Sequence, residues 1–460
     1  MNKHAIIIIG AGSAGYAAAR TAREHVDDVA IVDSSEELGG LCILKGCMPS
    51  KTLIYMAEVM HHAKHGKTFG LNIPQVSADM QGVHARKVRL IDDFSSFRKE
   101  NLQSKKFTLY RQPGRFINEN TLELQDGTQL NADKFIVSTG SRIATPPIPG
   151  LRETPHWTSD DVLDIDFLPE SIIILGGGIV ACELSQFLSR MGTQVTQIQR
   201  SKQVLTDMDS KAVNIVQKAM RDEGINLITG TAISLIQKTE GLYEVTYEHQ
   251  GATKTARAQH LFNALGRVPN TVGLDLQNAG VSCQPGGQIE TDPYQMTSNP
   301  NIYAAGDVSG PDEVVHVALK QGETAARHAL GVDTAPMSYA MPLGVIFTDP
   351  QLARIGPSDQ ELIAQGHDIV TADFPFDDHG KSMLMEALYG YVKLVADRNT
   401  GKLLAAECVG KDGGELLHMM TVPVQLGLTV HDLKGLDWYH PTLAEIWEYP
   451  LEDILEEITA

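Results

Sequence analysis

Cysteine is scarce in this chain of 460 residues, which contains only five. An odd and sparse set does not build the disulfide framework of a small secreted protein. Two of the five, Cys42 and Cys47, stand close together in the sequence, whereas Cys182, Cys283 and Cys408 are scattered. The count therefore predicts a reducing compartment, for which we expect the cytoplasm.

Positive charge and long apolar runs are also lacking. The chain has 38 Lys and Arg residues against 57 Asp and Glu, a formal net charge of −19. This acidic balance argues against nucleic acid or an anionic membrane as the partner. No uninterrupted apolar run reaches the ~18 residues needed to cross a bilayer. We therefore expect a soluble protein of about three domains, at roughly 150 residues each.

Glycine, in contrast, occurs in an ordered pattern near the start of the chain. An apolar run at residues 5–9 predicts a buried strand, and Gly10, Gly12 and Gly15 open a helical pattern that precedes a second strand ending at Asp33. The first glycine permits a tight turn, the second lets backbone N–H groups approach a pyrophosphate, and the third allows close packing. Asp33 is placed to accept hydrogen bonds from ribose hydroxyls. The pattern predicts a dinucleotide site; the alternative is a glycine-rich packing turn.

The same pattern recurs later in the chain. An apolar strand at residues 171–175 is followed by Gly176 and Gly178, and Ala181 takes the position of the third glycine. A small side chain there is compatible with close helix–strand packing. Two such units predict two bound dinucleotides, and the meanders expected at 107–130 and 226–262 support an internal duplication.

The second unit differs from the first at the acidic position. Gln199 stands where the register of the first unit has Asp33, and Arg200 and Lys202 follow it. The carboxylate that favours NAD and repels a 2′-phosphate is therefore missing. We predict that NADPH is accepted; the alternative is that both basic side chains are only solvated charges.

Cys42 and Cys47 are candidates for a redox-active disulfide. A bridge across four residues adds little stability to a chain of this length. Five residues of regular helix advance ~7.5 Å, which exceeds the span of a relaxed disulfide, so a bridge requires irregular backbone. Gly39, Gly40 and Gly46 permit it, and a helical pattern follows from residue 52. The pair reads as a catalytic dithiol. The alternatives are two unpaired buried cysteines or half of a zinc site, against which the lack of a second cysteine pair argues.

Several motifs taken together resemble the FAD-dependent pyridine nucleotide-disulfide oxidoreductases of class I, over essentially the whole chain. They are Gly10 to Gly15, the CxxxxC pair with Pro49-Ser50-Lys51, Gly176 to Glu183, Ala305-Gly306-Asp307, and His440-Pro441-Thr442-x-x-Glu445. The resemblance implies an α/β fold with two Rossmann-like domains and a C-terminal α+β dimerisation domain. The expected boundaries are 1–147 with 271–337 for FAD, 148–270 for NAD(P), and 338–460 for the dimer interface.

The resemblance also assigns catalytic roles. Cys42 matches the thiol that meets the substrate, and Cys47 matches the thiol that faces the flavin. His440 matches the acid/base that handles the thiol proton, since histidine titrates near working pH. Glu445 matches its orienting partner, although Thr442 and Glu445 also fit a capping box in which the glutamate only satisfies a helix start.

The expected cofactors are FAD and either NAD or NADP, with no metal. Lys51 and Glu183 match an ion pair beside the isoalloxazine and nicotinamide rings, and Asp307 matches the residue that holds the ribityl chain. The remaining expected cofactor-binding positions are Gly10, Gly12, Gly15, Asp33, Gly114, Thr139, Gly140, Gly176, Gly178, Ala181, Gln199, Arg200 and Gly266.

The same resemblance implies a class of substrate and a state of assembly. The nearest pattern is that of the dihydrolipoamide dehydrogenases, which implies a small-molecule or lipoyl-domain disulfide substrate. Lys45 and Trp438 depart from that pattern near the substrate channel. A glutathione or mercuric reductase-like enzyme and a flavin-binding redox sensor without turnover remain the alternatives. Because the family supplies the histidine from a second subunit, we expect a homodimer, with an apolar helix near 415–428 as a contact surface.

Overall fold

The computed structural model describes residues 2–459, in which strands and helices both occur throughout the chain. In chain order the strands are β1 (Asn2–Ile9), β2 (Val29–Val32), β3 (Thr108–Tyr110), β4 (Gly114–Asn118), β5 (Thr121–Leu124), β6 (Gln129–Val137), β7 (Ser141–Ile143), β8 (Ser171–Leu175), β9 (Gln194–Ile198), β10 (Asn226–Ile228), β11 (Thr231–Thr239), β12 (Leu242–His249), β13 (Ala252–Ala258), β14 (His260–Asn263), β15 (Arg267–Pro269), β16 (Ile302–Ala304), β17 (Leu343–Ile346), β18 (Gln351–Ile355), β19 (Ile369–Pro375), β20 (Tyr391–Asp397) and β21 (Leu403–Gly410). The α-helices are α1 (Ser13–Arg23), α2 (Leu41–Lys45), α3 (Cys47–Lys64), α4 (Met80–Leu102), α5 (Ser159–Val162), α6 (Ile179–Met191), α7 (Ser210–Asp222), α8 (Val315–Ala329), α9 (Asp359–Ala364), α10 (Gly380–Leu384), α11 (Gly413–Leu426), α12 (Val430–Leu433) and α13 (Glu448–Thr459).

The first sheet carries the first glycine-rich turn at the end of its central strand. Its order is β3-β2-β1-β6-β5-β4, with β16 also paired to β6. Strands β1, β2, β3, β6 and β16 are parallel, and β1 is an isoleucine run buried on both faces. Continuous apolar strands are typical of parallel sheets covered by helices. Helices α1 and α8 cover one face, and they approach so closely that a Cβ on Gly322 would lie 2.2 Å from the Ala14 carbonyl oxygen.

The second sheet repeats this arrangement. Strands β10-β9-β8-β14 are all parallel, and the antiparallel meander β11-β12-β13 packs against them. Both units thus have a parallel core, a glycine-rich turn after the central strand and an antiparallel meander. The prediction of two Rossmann-like units is confirmed.

A two-stranded ribbon joins the two units, and nothing in the sequence pattern predicted it. β7 pairs antiparallel with β15, so Ser141 to Ile143 lie against Arg267 to Pro269. The Arg267 guanidinium donates to the Ser141 hydroxyl at 2.8 Å and to its carbonyl at 2.9 Å. The chain therefore enters and leaves the second unit at one place.

The last unit is a five-stranded antiparallel sheet in the order β17-β18-β21-β20-β19, covered by α11 and α13. Trp447 is fully buried in this core, and its indole N–H donates to the Leu416 carbonyl at 3.0 Å. Helix α11 ends two residues earlier than the apolar pattern suggested, because Gly427 adopts a left-handed conformation (φ 68°) that closes the helix. The predicted C-terminal α+β domain is confirmed. No helix within residues 2–459 combines the length and apolarity needed to cross a membrane.

Candidate active site

The two neighbouring cysteines lie on either side of a break between helices. Cys42 belongs to α2 and Cys47 is the first residue of α3, with Gly46 between the helices at φ −138° and ψ −116°. Helix α3 therefore begins earlier than the pattern from residue 52 suggested. Pro49 does not prevent this, because the first N–H groups of a helix have no partner within it. The irregular backbone that a short bridge requires is present.

The two thiols are close enough for one to hydrogen bond to the other. That hydrogen bond, followed by the positive charge of Lys51, lowers the pKa of Cys47 to about 7. It has the opposite effect on Cys42, whose pKa is raised by the hydrogen bond to Cys47 and by burial. The pair therefore ionises first at Cys47, with Cys42 as the proton donor.

Lys51 and Glu183 form an ion pair one turn into α3. The Lys51 Nζ atom lies 2.8 Å from Glu183 Oε2 and 4.7 Å from the centre of the Phe347 ring. The side chain of Glu183, from α6 of the second unit, is only 3% exposed, and its other oxygen accepts from the Phe347 N–H at 2.9 Å. The buried Glu183 carboxylate thus has a partner at each oxygen, and the ion pair joins the dithiol helix to the helix that follows the second glycine-rich turn.

The first glycine-rich turn brings several backbone segments close together. Gly10 has a φ of 97°, and a Cβ there would lie 2.4 Å from the Ser138 carbonyl oxygen. Gly12 precedes α1 without a side-chain cap, so first-turn N–H groups are free for an anion. A Cβ on Gly40 would lie 2.5 Å from the Cα atom of Gly12. A cradle lined by bare backbone at an uncapped helix start fits the pyrophosphate of a dinucleotide.

Asp33 lies beside this cradle at the end of β2. Its Oδ2 atom accepts from the Ala11 N–H at 2.7 Å, and its Oδ1 atom accepts from the Ser35 N–H at 2.9 Å. The Arg111 guanidinium lies 3.4 Å from Oδ1. Oδ1 also accepts from the Ser35 hydroxyl. The carboxylate is therefore oriented by the protein, and Oδ2, which accepts a single hydrogen bond, keeps a second lone pair for a ribose hydroxyl.

The second glycine-rich turn has the same geometry with different chemistry. Gly176 has a φ of 117° and Gly178 precedes α6 without a side-chain cap, while Ala181 is fully buried. Gln199 follows β9, and its side chain lies against Gly177, where a Cβ would be 2.7 Å from Gln199 Cδ. Arg200 is exposed and, in the described part of the chain, has no ion-pair partner. This edge of the second unit is polar and basic rather than acidic.

The other predicted cofactor positions lie on the segments that connect the units. The Thr139 hydroxyl donates to the Asn270 carbonyl at 2.7 Å, and Asp307 accepts from the Ser141 hydroxyl at 2.6 Å. Gly140 and Gly266 have φ angles of 69° and 109° and open space where a side chain would stand. At Gly114, by contrast, a Cβ would meet Leu122 at 2.7 Å, so packing also favours glycine at this predicted cofactor position.

His440 and Glu445 lie together in the last unit. His440 Nδ1 is 3.0 Å from Glu445 Oε1 and 3.1 Å from Oε2. The imidazole is 78% exposed, whereas the carboxylate is 7% exposed. The Glu445 N–H also donates to the Thr442 hydroxyl at 3.3 Å, so half of the capping box forms while the carboxylate turns to the histidine.

Sequence reasoning missed a second histidine beside Glu445. His379 is fully buried, its Nδ1 atom is 2.8 Å from the Ser382 hydroxyl, and its Nε2 atom lies 3.5 Å from Glu445 Oε1. Burial lowers the pKa of His379, although the Glu445 carboxylate opposes this effect. Glu445 is therefore held between one exposed and one buried imidazole. No motif marks His379, because the contact joins residues more than sixty positions apart.

The structure thus forms two separate clusters from the predicted catalytic residues. Cys42, Cys47 and Lys51 stand on α2 and α3, whereas His440 and Glu445 stand in the last unit. Within residues 2–459 no hydrogen bond or ion pair joins His440 to either cysteine. Nor does this part of the chain bring three or more His, Cys, Asp or Glu side chains together in a way that could hold a metal ion.

Two family models match this chain, and together they span most of its length. Residues 4–322 match the family model described as pyridine nucleotide-disulphide oxidoreductase, and residues 343–450 match its dimerisation domain. The mercuric reductase of Bacillus cereus is 33% identical over 95% of this chain and 69% of its own length. The dihydrolipoyl dehydrogenase of Geobacillus stearothermophilus is 30% identical over 96% of this chain and 94% of its own. The HOCl-induced flavoprotein disulfide reductase RclA of Escherichia coli superposes with a TM-score of 0.87 at 25% identity, covering 98% and 99% of the two chains.

Proposed function

Because this chain belongs to the pyridine nucleotide-disulphide oxidoreductase family, we propose that it passes electrons between NAD(P)H and a dithiol/disulfide substrate through FAD and the Cys42/Cys47 pair. The observation that carries the proposal is the dithiol beside the Lys51–Glu183 ion pair, between two glycine-rich turns. When bound, FAD supplies the two-electron step between the nicotinamide and the cysteine pair. Gly10, Gly12 and Asp33 would hold it on the first unit.

The protein side chains handle the sulfur and proton chemistry. In the direction of disulfide reduction, His440 takes the proton of Cys42, and the resulting thiolate attacks one sulfur of the substrate. A Cys42–substrate disulfide forms, the substrate S–S bond breaks, and the released thiolate takes the proton from His440. The Cys47 thiolate then attacks the Cys42 sulfur, which re-forms the internal disulfide and releases the second substrate sulfur as a thiolate that takes a proton from water. Glu445 contacts His440 Nδ1 and so orients the imidazole with Nε2 free to exchange the proton.

The specific reaction that we favour is that of a dihydrolipoyl dehydrogenase, with NADPH accepted besides NADH. Reduction of a thiophilic metal ion is the second candidate. It is supported by the similarity to mercuric reductases and by the affinity of paired thiolates for soft metals. We place the reaction in the cytoplasm because sparse cysteines and a reducible dithiol suit a reducing compartment. We also propose the domain boundaries 1–147 with 271–337, 148–270 and 338–460.

A shared active site follows from the separation of the two clusters. We infer that Cys42 of one chain meets the partner subunit's His440 across a homodimer. The match of residues 343–450 to the dimerisation domain supports this assembly. The exposed apolar side chains of Val422 and Leu426 on α11 offer a contact surface, at 57% and 70% exposure.

One set of variants tests both the function and the sharing. Cys42→Ala and His440→Ala should each lose disulfide turnover, while NAD(P)H still reduces the flavin of both. In a mixed dimer one site carries both defects and the other carries neither, so co-expression should restore turnover. Purified wild-type protein that takes up no flavin would overturn the function. Mixed dimers as inactive as their parents would show that each histidine serves its own chain.

A further inference from the structure

A buried imidazole lies beside the carboxylate partner of His440 and is not used in the mechanism above. His379 stands at the N-cap of α10, and its ring is fully buried. Its Nδ1 atom lies 2.8 Å from the Ser382 hydroxyl, and its Nε2 atom lies 3.5 Å from Glu445 Oε1. His440 Nδ1 contacts the same carboxylate at 3.0 Å. A row of contacts thus runs from Ser382 through His379 and Glu445 to His440.

The Nε2 atom of His379 lacks an ordinary hydrogen bond. It is buried and, within residues 2–459, has no hydrogen-bond partner, since 3.5 Å to the Glu445 oxygen is longer than a normal bond. Buried polar groups are almost always hydrogen-bonded, because an unpaired one loses its hydration without compensation. Catalytic hydrogen bonds are often long in the free enzyme and shorten when the reacting groups assemble. Glu445 is therefore the partner that this nitrogen can reach.

The surroundings of the ring decide which nitrogen carries its proton. Burial lowers the pKa of His379, an effect that Glu445 opposes and His440 reinforces, and the Tyr449 ring packs edge-on at 6.3 Å. The neutral imidazole has one N–H group and one acceptor nitrogen. Because a carboxylate only accepts, the N–H group must be at Nε2, and the Ser382 hydroxyl then donates to Nδ1. In this arrangement both ring nitrogens are matched.

The two members of the catalytic pair differ in how firmly the protein holds them. The Glu445 side chain is 7% exposed, whereas the His440 side chain is 78% exposed. An exposed imidazole depends on its carboxylate for orientation, so the carboxylate must itself be fixed. This requirement is strict, because a displacement of about 1 Å in a catalytic group can cost roughly a hundredfold in rate. His379 is placed to meet it.

We propose that His379 is a positioning residue for the proton transfer at Cys42, and that its Nε2–H group holds the Glu445 carboxylate in the orientation that His440 requires. The inference rests on the proposed function and adds a third member to its acid/base pair. His379 touches neither the substrate nor the transferred proton, which His440 alone exchanges. The alternative is a purely structural role, in which His379 only packs the core of the last unit.

Three substitutions separate the two contacts of the ring. In His379→Gln the amide nitrogen can occupy the place of Nε2 and still donate to Glu445. In His379→Asn the shorter side chain reaches only Ser382, and His379→Leu keeps neither contact. The measured quantities are kcat and KM with whichever of lipoamide and oxidised glutathione the wild type reduces faster, and the rate at which NAD(P)H reduces the bound flavin.

The asparagine and leucine variants should lower kcat about tenfold or more, as expected when an acid/base is no longer oriented. Their KM and their rate of flavin reduction should stay within about twofold of the wild type, because only the proton transfer is affected. His379→Gln should retain most of kcat. If glutamine is as poor as asparagine, or if the losses of all three variants follow their melting temperatures, His379 is structural and the proposal is wrong.

Glu445→Ala supplies a second test. His379→Asn should cause no further loss of kcat in that background, because the carboxylate through which it acts is gone, whereas additive losses would overturn the proposal. His367→Asn is the matched control. It removes a half-buried histidine that lies 3.9 Å from the Asp397 carboxylate in the same unit, so kcat should stay at the wild-type value.

The possible failures are distinguishable. If the wild type reduces no disulfide with NADH or NADPH, the proposed function is wrong. If it is active and His379→Asn has the same kcat, the positioning role is wrong and the function stands. If no His379 variant folds, Ser382→Ala decides the matter, because it leaves the ring in place and removes the hydroxyl that fixes the position of its proton. It should lower kcat without changing KM, and an unchanged kcat would overturn the proposal.

Discussion

The two glycine-rich turns share their backbone and differ in the residues around it. A Cβ on Gly10 would lie 2.4 Å from the Ser138 carbonyl oxygen, and one on Gly176 would lie 2.3 Å from that of Ala264. At the third position, however, Gly15 leaves no room for a Cβ, which would be 1.9 Å from the Gly10 oxygen, whereas Ala181 carries one. Both units therefore require the same tight turn at the first glycine. The packing of helix against strand differs between them, because only the second unit has room for a Cβ at the third position.

The acidic position separates the two turns by function. In the first unit, backbone N–H groups orient the Asp33 carboxylate towards the cradle, and the charge suits ribose hydroxyls. In the second unit, Gln199 and exposed Arg200 form an edge without the carboxylate that would repel a 2′-phosphate. We therefore expect this position to decide whether the second unit accepts a coenzyme with a 2′-phosphate.

The largest effect, on flavin content and thermal stability, is expected from Gly15→Ala. This substitution places a side chain in the tighter of the two turns. The new Cβ would also lie 2.5 Å from the Ser138 hydroxyl oxygen, so the strand and helix must separate. Overpacking of this kind costs about 1–3 kcal/mol or more. We expect purified protein without flavin and with a lowered melting temperature, measured by flavin absorbance and thermal unfolding.

The reverse change in the second unit is its control. Ala181→Gly removes a Cβ at the matching position and should cost only about 1 kcal/mol, as for a glycine inside a helix. Flavin content should not change. A Gly15→Ala protein that retains full flavin would show that the first turn is as tolerant as the second.

A smaller effect, on coenzyme choice, is expected when Gln199 of the second unit is replaced by aspartate, the residue found at the matching position of the first unit. Gln199→Asp should lower kcat/KM for NADPH by roughly tenfold, because a carboxylate repels the 2′-phosphate, while NADH is used at least as well as before. Steady-state kinetics with both coenzymes measure this. Gln194→Asp, at the exposed start of the same strand, is the control for added charge. If both coenzymes lose activity in parallel, Gln199 does not discriminate between them.

The smallest effect is expected at the contact between the two units. Lys51→Gln removes a positive charge that favours the Cys47 thiolate, so the pKa of Cys47 should rise above about 7. The hydrogen bond from Cys42 has the larger influence and remains, so the pKa should not return fully to its ordinary value. At pH 7 the thiolate fraction of Cys47 should fall relative to the wild type, as measured by the ultraviolet absorbance of the thiolate during a pH titration.

Lys45→Gln provides the comparison for this titration. Lys45 lies between the cysteines in sequence but is exposed and pairs with Asp160 at 3.2 Å. Its loss should leave the Cys47 titration in place. Identical titration curves for Lys51→Gln and wild-type protein would mean that the ion pair with Glu183 does not tune the dithiol.

Much of this fold could be predicted from local patterns in the sequence. The turns at Gly10 and Gly176 were predictable because a tight, uncapped approach of backbone to an anion accepts few residue types other than glycine. The dithiol was predictable because a bridge over four residues needs a helix break, and Gly46 supplies it. The same local reasoning could not foresee that α3 begins at Cys47, since tertiary packing extends helices beyond their sequence signals.

Contacts between distant segments were decided only by the tertiary structure. Three contacts have no periodic signature: the β7–β15 ribbon, the position of His379 behind Glu445, and the hydrogen bond from Arg98 to the Gly39 carbonyl. Each joins residues about sixty or more positions apart. Sequence periodicity reports which face of an element is buried, but not which distant element covers it, and burial beside a particular neighbour is what changes the chemistry of a titratable side chain.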